Sequence, residues 1–280
     1  MDRFSWKNPD DFKLVMRCMK KRYVQDFITK GQIKLNTPRS WVEYAQKHGD
    51  GRGDMLEGTF AAMNSADLLH LKQIYDRYSI NGDTVLPMTL DGVTYFKRAS
   101  SINLPAYCMY AIKNSLLPCP GAGWHDVEFS LGASYFRDFT DNMPKTEYDA
   151  LPENEKQSLV VINDFAEFKT KLIRALMNLG AKENEIICEI VKYQNIKPLN
   201  FAGGYDMQIE SPGELFRKDI RYKEQNELRF VVNTHDPDTL RRITESTIEI
   251  GSLEGIATET MGYPYDGVTI QERIHVVQES

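Results

Sequence analysis

The feature that most constrains the fold is a polar cluster that runs directly into a strand pattern within residues 214–233. Apolar side chains occupy every second position of that pattern: Leu228, Phe230 and Val232. A period of two is typical of a strand with one buried face. Glu227 and Arg229 then share the opposite face, about 6.6 Å apart along the strand. At that spacing a carboxylate and a guanidinium can pair with each other or reach one ligand.

Further polar side chains stand at the start of this strand. Gln225 and Asn226 supply amides next to the Glu227 carboxylate. The residues just upstream are basic or aromatic: Arg217, Lys218, Arg221, Tyr222 and Lys223. One interpretation is a solvated strand face with a surface ion pair, worth at most about 1 kcal/mol. The other is a binding or catalytic site, because cations, an aromatic ring and acids converge on one strand entrance.

The composition is that of an ordinary globular protein. Of the 280 residues, 41% are apolar and 26% are charged, and the net charge is −6. An acidic chain has no overall positive field that would attract nucleic acid, although local basic patches remain. No run approaches the roughly 18 apolar residues that indicate a membrane helix, and the first residues contain no apolar signal region. We therefore predict a cytoplasmic protein with no membrane partner.

Familiar catalytic and metal-binding motifs are absent from the sequence. The cysteines show no C-x-x-C spacing, and the histidines form no H-E-x-x-H motif, so no zinc site or disulfide framework is predicted. A G-x-S-x-G nucleophile elbow is also missing. Residues 189–192, Glu-Ile-Val-Lys, come close to the Glu-x-Lys of metal-dependent nucleases. Strand alternation directs Glu189 and Lys192 to opposite faces, which leaves a nuclease as an alternative only.

Strand patterns outnumber helix patterns along the chain. The predicted strands cover residues 12–19, 32–36, 84–88, 93–97, 104–112, 127–131, 159–162, 185–193, 228–232, 248–250 and 268–277. The predicted helices cover residues 22–30, 67–78 and 165–179. Asp91-Gly92 predicts a tight hairpin turn, and Pro38 is expected to end the second strand. These features predict an α+β fold with mixed, largely antiparallel sheets, in a single domain over residues 1–280.

Residues 47–58 are predicted to form a glycine-rich loop. Four glycines stand among polar residues there: Gly49, Gly51, Gly53 and Gly58. The segment lacks the G-K-[ST] ending of a phosphate-binding loop, so it gives no indication of a nucleotide triphosphate site. Its charged residues could still line a functional site.

Three segments carry a resemblance to known proteins. They are Arg-Tyr-Val-Gln-Asp-Phe-Ile-Thr-Lys-Gly-Gln-Ile-Lys-Leu at 22–35, Tyr-Cys-Met-Tyr at 107–110, and Phe-Arg-Lys-Asp-x-x-Tyr-x-x-x-Asn-Glu-Leu-Arg-Phe at 216–230. In this order they resemble a broad family of uncharacterised bacterial proteins often found near phage-defence genes.

The layout is also similar to that of mono-ADP-ribosyltransferase toxins. In that fold an arginine on the first strand contacts NAD, a middle strand lies near the nicotinamide, and a Gln-x-Glu motif leads into a late strand. Arg17 matches the first element, the strand from Tyr107 to Tyr110 matches the second, and residues 225–227 match the third. The middle strand lacks the Ser-Thr-Ser of many members and fits the variant with an aromatic residue there.

The resemblance implies a role for each matched residue. Glu227 would stabilise the positive charge that develops on the ribose as the bond to nicotinamide breaks. Arg17 would pair with the NAD phosphates, and Tyr23, Tyr107 or Tyr110 would stack on the nicotinamide or adenine. The two remaining catalytic candidates act on other partners: Gln225 would place the acceptor, and Arg229 would hold Glu227 ionised.

The expected function is that of a toxin or antiviral effector with an ADP-ribosyltransferase-like domain. It would transfer ADP-ribose from NAD to a macromolecular acceptor, for which RNA or DNA is a candidate, and a neutralising antitoxin protein would be its partner. No metal is expected. Three alternatives remain open: an NAD glycohydrolase, a metal-dependent nuclease, and a non-catalytic phage-sensing binding module.

Overall fold

A computed structural model describes residues 12–49, 53–67, 83–113, 123–131, 138–141, 143–196, 211–260 and 264–276, together with Lys72, Asp76 and Phe136. Its strands are β1 (Phe12–Lys20), β2 (Gln32–Ile33), β3 (Thr59–Asn64), β4 (Val85–Leu90), β5 (Val93–Arg98), β6 (Ala106–Lys113), β7 (Gly123–Leu131), β8 (Gln157–Ile162), β9 (Ile186–Ile190), β10 (Lys192–Gln194), β11 (Arg217–Asp219), β12 (Glu227–Val232), β13 (Ile248–Glu249), β14 (Ala257–Thr260) and β15 (Val268–Val276). Its α-helices are α1 (Val24–Lys30), α2 (Pro38–His48), α3 (Ala99–Ile102), α4 (Lys145–Asp149), α5 (Phe165–Asn178) and α6 (Pro237–Glu245). None of the helices in these ranges is both long enough and apolar enough to cross a membrane.

The chain divides into two compact units. Unit 1 comprises residues 1–33, 109–174 and 249–280, and unit 2 comprises residues 34–108 and 175–248. Strand β6 and helix α5 each contribute residues to both units.

Unit 1 is built on antiparallel strand pairs. Strand β8 lies between β14 and β1, and the other edge of β1 pairs with the second half of β6. Strands β7 and β15 form a separate antiparallel pair. One core cluster fills this unit with buried side chains from four segments: Met16, Cys18, Tyr110, Phe136 and Leu159.

Helix α5 has the sequence features of a well-capped amphipathic helix. The Asp164 carboxylate accepts a hydrogen bond from the Glu167 backbone N–H at 2.9 Å, which satisfies a donor of the first turn. The buried side chains recur at helical spacing: Phe165, Phe168, Leu172 and Leu176. This stripe buries one face of the helix, as the sequence predicted.

Unit 2 contains the strands that carry the polar cluster. Strand β12 lies between β6 and β9, with Arg229 opposite Glu189 on β9. Strands β3, β5 and β4 form an antiparallel sheet in that order, and β10 and β11 form a short parallel pair with Tyr193 opposite Lys218. One core cluster of this unit contains six buried residues from four segments: Leu104, Ala106, Ile187, Leu215, Phe216 and Val231.

The predicted α+β class with largely antiparallel sheets is confirmed, whereas the ADP-ribosyltransferase-like arrangement and the single domain over residues 1–280 stay predictions. Helix α2 was not predicted; it begins at Pro38, where the sequence analysis only ended a strand. The predicted strand over residues 185–193 is interrupted at Val191 and forms β9 and β10. The predicted helix over residues 67–78 falls outside the described residues except at isolated positions.

Candidate functional site

The segment leading into β12 makes a compact turn that fixes the position of Glu227. Strand β11 is followed by a 3-10 helix, Ile220–Gln225, whose first backbone donor is bound by the Asp219 side chain. Asn226 then adopts a left-handed conformation with φ 39° and ψ 52°. Asparagine tolerates this conformation better than most residues, so the chain can reverse there. Glu227 is therefore the first residue of a rigid strand.

Strand β12 is buried on both faces, which corrects the prediction of one solvated face. Arg229 and Val231, on the face expected to be polar, are as inaccessible to solvent as Phe230 on the other face. A guanidinium can be buried in this way only if carboxylates and other acceptors neutralise it inside the protein. The interpretation of Glu227 and Arg229 as a surface ion pair is therefore wrong.

Arg229 is neutralised by two carboxylates from different parts of unit 2. Its Nη1 lies 2.5 Å from Glu57 Oε1, and its Nη2 lies 3.4 Å from Glu57 Oε2, so Glu57 holds the guanidinium with both oxygens. Its Nη2 also lies 2.6 Å from Glu227 Oε2. In addition, Nη1 donates to the backbone oxygen of Leu215. Arg229 thus joins the β12 entrance to a turn of the glycine-rich segment.

Lys218 binds the other oxygen of Glu227. Its Nζ lies 2.6 Å from Glu227 Oε1 and 2.6 Å from Gln225 Oε1. The same nitrogen lies 4.0 Å from Glu57 Oε2. Glu57, Arg229, Glu227 and Lys218 therefore form a closed circuit of alternating charge, which we call the charge ring.

The charge ring keeps the Glu227 carboxylate ionised. Burial acts to raise the pKa of Glu227, but the charges of Lys218 and Arg229, with the hydrogen bonds they donate, bring it well below its usual range. Burial likewise acts to lower the pKa of Lys218, and the Glu227 and Glu57 carboxylates more than offset it and raise that pKa. Glu227 and Lys218 are thus both charged at neutral pH.

Two further ionisable groups lie beside the ring with strongly shifted pKa values. Burial raises the pKa of Asp54 to about 7. Burial lowers the pKa of Lys97 to about 8, against the opposing effects of Asp54 and Glu57. The Lys97 Nζ also donates to the Met55 backbone oxygen at 2.5 Å. The turn over residues 54–57 is therefore held by cations at several points.

Aromatic rings cover the two cations of the ring. The Arg229 guanidinium lies 5.0 Å from the centre of the Trp41 ring, and the Lys218 Nζ lies 4.8 Å from that of Tyr222. The Tyr193 hydroxyl oxygen accepts a hydrogen bond from the Glu227 backbone N–H at 2.9 Å. Burial and the nearby Glu227 charge raise the pKa of Tyr193, so this hydroxyl stays neutral. These contacts fix both the side chains and the backbone of the site.

The structure brings together the three predicted catalytic residues and separates the predicted NAD-binding residues between the units. Gln225, Glu227 and Arg229 belong to unit 2 and are linked through Lys218 and the ring. The NAD candidates differ in location: Tyr107 lies in unit 2, and Arg17, Tyr23 and Tyr110 lie in unit 1.

The NAD-binding candidates also differ in exposure. Arg17 is half-buried on β1 opposite Val160 of β8. The Tyr23 ring is exposed, with the Arg22 guanidinium 4.9 Å from its centre. The rings of Tyr107 and Tyr110 are buried. The assignment of these four residues to NAD stays a prediction.

Sequence reasoning missed the part of the site that comes from the glycine-rich segment. Glu57 and Asp54 were recognised only as charged residues that could line a site, and Lys218 only as part of a basic cluster. The signal for Lys218 was its place in the Phe-Arg-Lys-Asp pattern two residues before the 3-10 helix. Nothing in the local sequence of Glu57 indicates that its partner is 172 residues away.

The arrangement offers little to a metal ion. Within the described ranges, no three His, Cys, Asp or Glu side chains converge as a metal site would require. Glu189 and Lys192, the near match to a nuclease motif, are both exposed and lie on different strands, β9 and β10. The carboxylates of the charge ring are already bound to protein cations.

Comparisons with protein-family models, curated proteins and solved structures give no match for this chain. The resemblances to the phage-defence-associated family and to ADP-ribosyltransferase toxins therefore stay predictions.

Proposed function

We propose that this chain is an NAD-dependent ADP-ribosyltransferase, acting as a toxin or antiviral effector on a macromolecule. The observation that carries the proposal is the state of Glu227, an ionised carboxylate fixed by Lys218 and Arg229 at the entrance of a buried strand. Cleavage of the bond between ribose and nicotinamide develops positive charge on the ribose. A carboxylate held in place before the reaction stabilises that charge without reorganising.

Glu227 retains the capacity to bind a substrate. Each carboxylate oxygen can accept about two hydrogen bonds, and each oxygen of Glu227 receives one from the ring. The side chain keeps 12% of its surface exposed, unlike Glu57 and Arg229. In this proposal, a ribose hydroxyl binds Glu227 through this exposed part of the side chain. In this proposal, Arg17, Tyr23, Tyr107 and Tyr110 bind the NAD, and Gln225 places the acceptor.

The acceptor that we propose is RNA or DNA. Three exposed cations of unit 2 lie near Glu227: Arg221 and Lys223 precede it closely in sequence, and Lys192 adjoins Tyr193, whose hydroxyl accepts a hydrogen bond from the Glu227 backbone N–H. Their charge is reduced by neighbouring acids, since Arg221 pairs with Asp219 at 2.9 Å. Such a surface would bind phosphates weakly and with strong dependence on salt. A cytoplasmic toxin of this kind also implies a neutralising antitoxin protein.

Nicotinamide release from NAD tests the proposal. We expect Glu227→Gln to lower kcat by about 100-fold or more, because the amide keeps the shape of the side chain and loses its charge. The matched control is Glu224→Gln, which makes the same change at an exposed side chain three residues earlier and should leave the rate unchanged.

Added RNA, DNA or cell lysate distinguishes the possible acceptors. Release that rises with one polymer identifies the acceptor class, and release that needs no polymer indicates an NAD glycohydrolase. Equal rates for the wild type and Glu227→Gln would refute the mechanism.

A non-catalytic binding module is the second candidate, because both oxygens of Glu227 already bind protein cations, as in a purely structural network. Expression in bacteria separates the two functions. A transferase toxin should arrest growth, and Glu227→Gln should relieve the arrest. A binding module should be tolerated in both forms.

A further inference from the structure

Glu57 is the member of the charge ring that lies farthest in sequence from the others. It sits in the turn over residues 54–58, where the Leu56 backbone N–H is bound by Asp54 at 2.8 Å. Its carboxylate is almost fully buried and lies 2.5 Å from Arg229 and 4.0 Å from Lys218. A carboxylate in such a place is costly to bury unless it has cationic partners. Its partners are the two cations that hold Glu227.

Glu57 therefore acts on Glu227 indirectly, whereas Lys218 and Arg229 bind the Glu227 carboxylate directly. Glu57 binds the same two cations as Glu227, Lys218 and Arg229. Each of the two cations interacts with both carboxylates, so neither cation pairs with Glu227 alone. Removing the charge of Glu57 would leave Lys218 and Arg229 converging on one carboxylate.

We infer that Glu57 is a positioning residue of the proposed site, holding Arg229 and Lys218 so that the Glu227 carboxylate keeps its orientation and part of its charge for the substrate. The inference rests on the proposed function for its catalytic consequence. Its structural content, that Glu57 and Glu227 act as one unit through shared cations, is independent of NAD.

Steady-state nicotinamide release tests the catalytic consequence. We expect Glu57→Gln to lower kcat about 100-fold while KM for NAD changes less than about three-fold, because a misplaced catalytic group affects the reaction more than binding. Glu57→Asp keeps the carboxylate, and its kcat should be about tenfold higher than that of Glu57→Gln.

The matched control is Glu214→Gln. Glu214 is also a fully buried carboxylate of unit 2, paired with Arg98 at 2.9 Å, but it lies outside the charge ring. We expect its substitution to lower the melting temperature and to leave kcat of the folded protein unchanged. An equal kcat loss in Glu57→Gln and Glu214→Gln would overturn the inference, because both would then report damage to the fold.

A thermal-shift cycle tests the structural content without NAD. Glu57→Gln and Glu227→Gln are made singly and together; the double variant should lose more in melting temperature than the sum of the single losses, since it leaves two buried cations without either carboxylate. Glu57→Gln combined with Glu155→Gln, a carboxylate of unit 1, should be additive.

The outcomes separate the two proposals. Additive losses for Glu57 and Glu227 overturn the inference whatever the activity. Non-additive losses with no nicotinamide release by the wild type refute the proposed function and leave the coupling of Glu57 to Glu227 established. If Glu57→Gln fails to fold, Glu57→Asp takes its place, with an expected loss of about tenfold in kcat. A kcat of Glu57→Asp equal to that of the wild type would then overturn the inference.

Discussion

Asp54, beside the charge ring, is a buried carboxyl group with a pKa near neutral pH. Its Oδ1 binds the Leu56 backbone N–H, whereas its Oδ2 has no hydrogen-bond partner among the described residues. Burial raises the pKa of this carboxyl to about 7, so the folded protein binds a proton there in mildly acidic solution. Above that pH the Asp54 carboxylate is ionised while buried, which destabilises the folded protein.

The contribution of Asp54 to the stability of the protein should therefore fall as the pH rises from about 4 to about 7. In that window the folded chain keeps the Asp54 proton and the unfolded chain, with a pKa of about 3.9, has released it. Asp54→Asn removes this difference. At pH 8 the variant should gain roughly 2–4 kcal/mol in free energy of unfolding by urea, and at pH 4 it should gain nothing.

Asp266→Asn, at an exposed aspartate of unit 1, is the control and should leave the pH profile of the wild type unchanged. A profile for Asp54→Asn that runs parallel to that of the wild type would show that another group causes the dependence.

Some residues of the site could be predicted from the sequence, and others could not. The Gln225-Asn226-Glu227 segment and its strand were predictable, because they depend on alternation and on local polarity. The burial of Arg229 was not predictable, because a charged residue in an alternating strand indicates solvent unless a partner is known. That partner, Glu57, comes from a turn 172 residues away.

At the level of elements, two glycines with a left-handed backbone lie at the ends of predicted elements. One lies in the turn between two strands, and the other ends a helix. Gly92, with φ 76°, follows Asp91, with φ 50°, in the two-residue turn between β4 and β5. Gly31, with φ 64°, ends helix α1 and donates its N–H to Phe27. Both glycines have a left-handed backbone, but their surroundings differ. A Cβ on Gly92 would meet nothing within 4 Å, and one on Gly31 would lie 2.3 Å from the Gly251 backbone oxygen.

Alanine at these two positions should separate backbone strain from steric overlap. Gly92→Ala should cost about 1 kcal/mol in free energy of unfolding, the cost of left-handed backbone alone. Gly31→Ala should cost at least about 3 kcal/mol, because the close backbone contact with Gly251 must also open. Asp91→Asn is the control for the turn and should be nearly neutral, since asparagine tolerates the same conformation. Equal losses in free energy of unfolding for Gly31→Ala and Gly92→Ala would show that the contact with Gly251 adds no cost.

Helix α2 shows why some elements escaped prediction. Thr37 accepts a hydrogen bond from the Ser40 N–H at 3.2 Å, and Pro38 occupies the first turn, which together form a sound helix start. Its apolar face is short, with Ala45 and Trp41 packed inward among polar residues. The periodicity was therefore too weak to detect, although the start signal was present in the sequence.

At the level of the whole molecule, the chain passes from unit 1 to unit 2 and back twice. Strand β6 and helix α5 cross the division, so neither unit consists only of complete elements. We therefore expect one cooperative unfolding transition over residues 1–280, in line with the single domain predicted from the sequence.

Matched cavities in the two units test this expectation by calorimetry. Leu159→Ala opens the core of unit 1, and Leu104→Ala opens that of unit 2; both leucines are almost fully buried. Each substitution should lower the temperature of one and the same transition, by about 5–15 °C. Two transitions, each moved by only one substitution, would instead establish two domains.

The division of unit 1 into three segments also sets an order of assembly during synthesis. Strand β14 leaves the ribosome later than β8, the strand with which it pairs, with Ala257 opposite Ile162. Until then one edge of β8 lacks its neighbour, for several seconds at rates of about 5–20 residues per second. All four residues of the charge ring have emerged by that time. The nascent chain thus carries its charged site while it still presents a bare strand edge, to which chaperones or other nascent chains can bind.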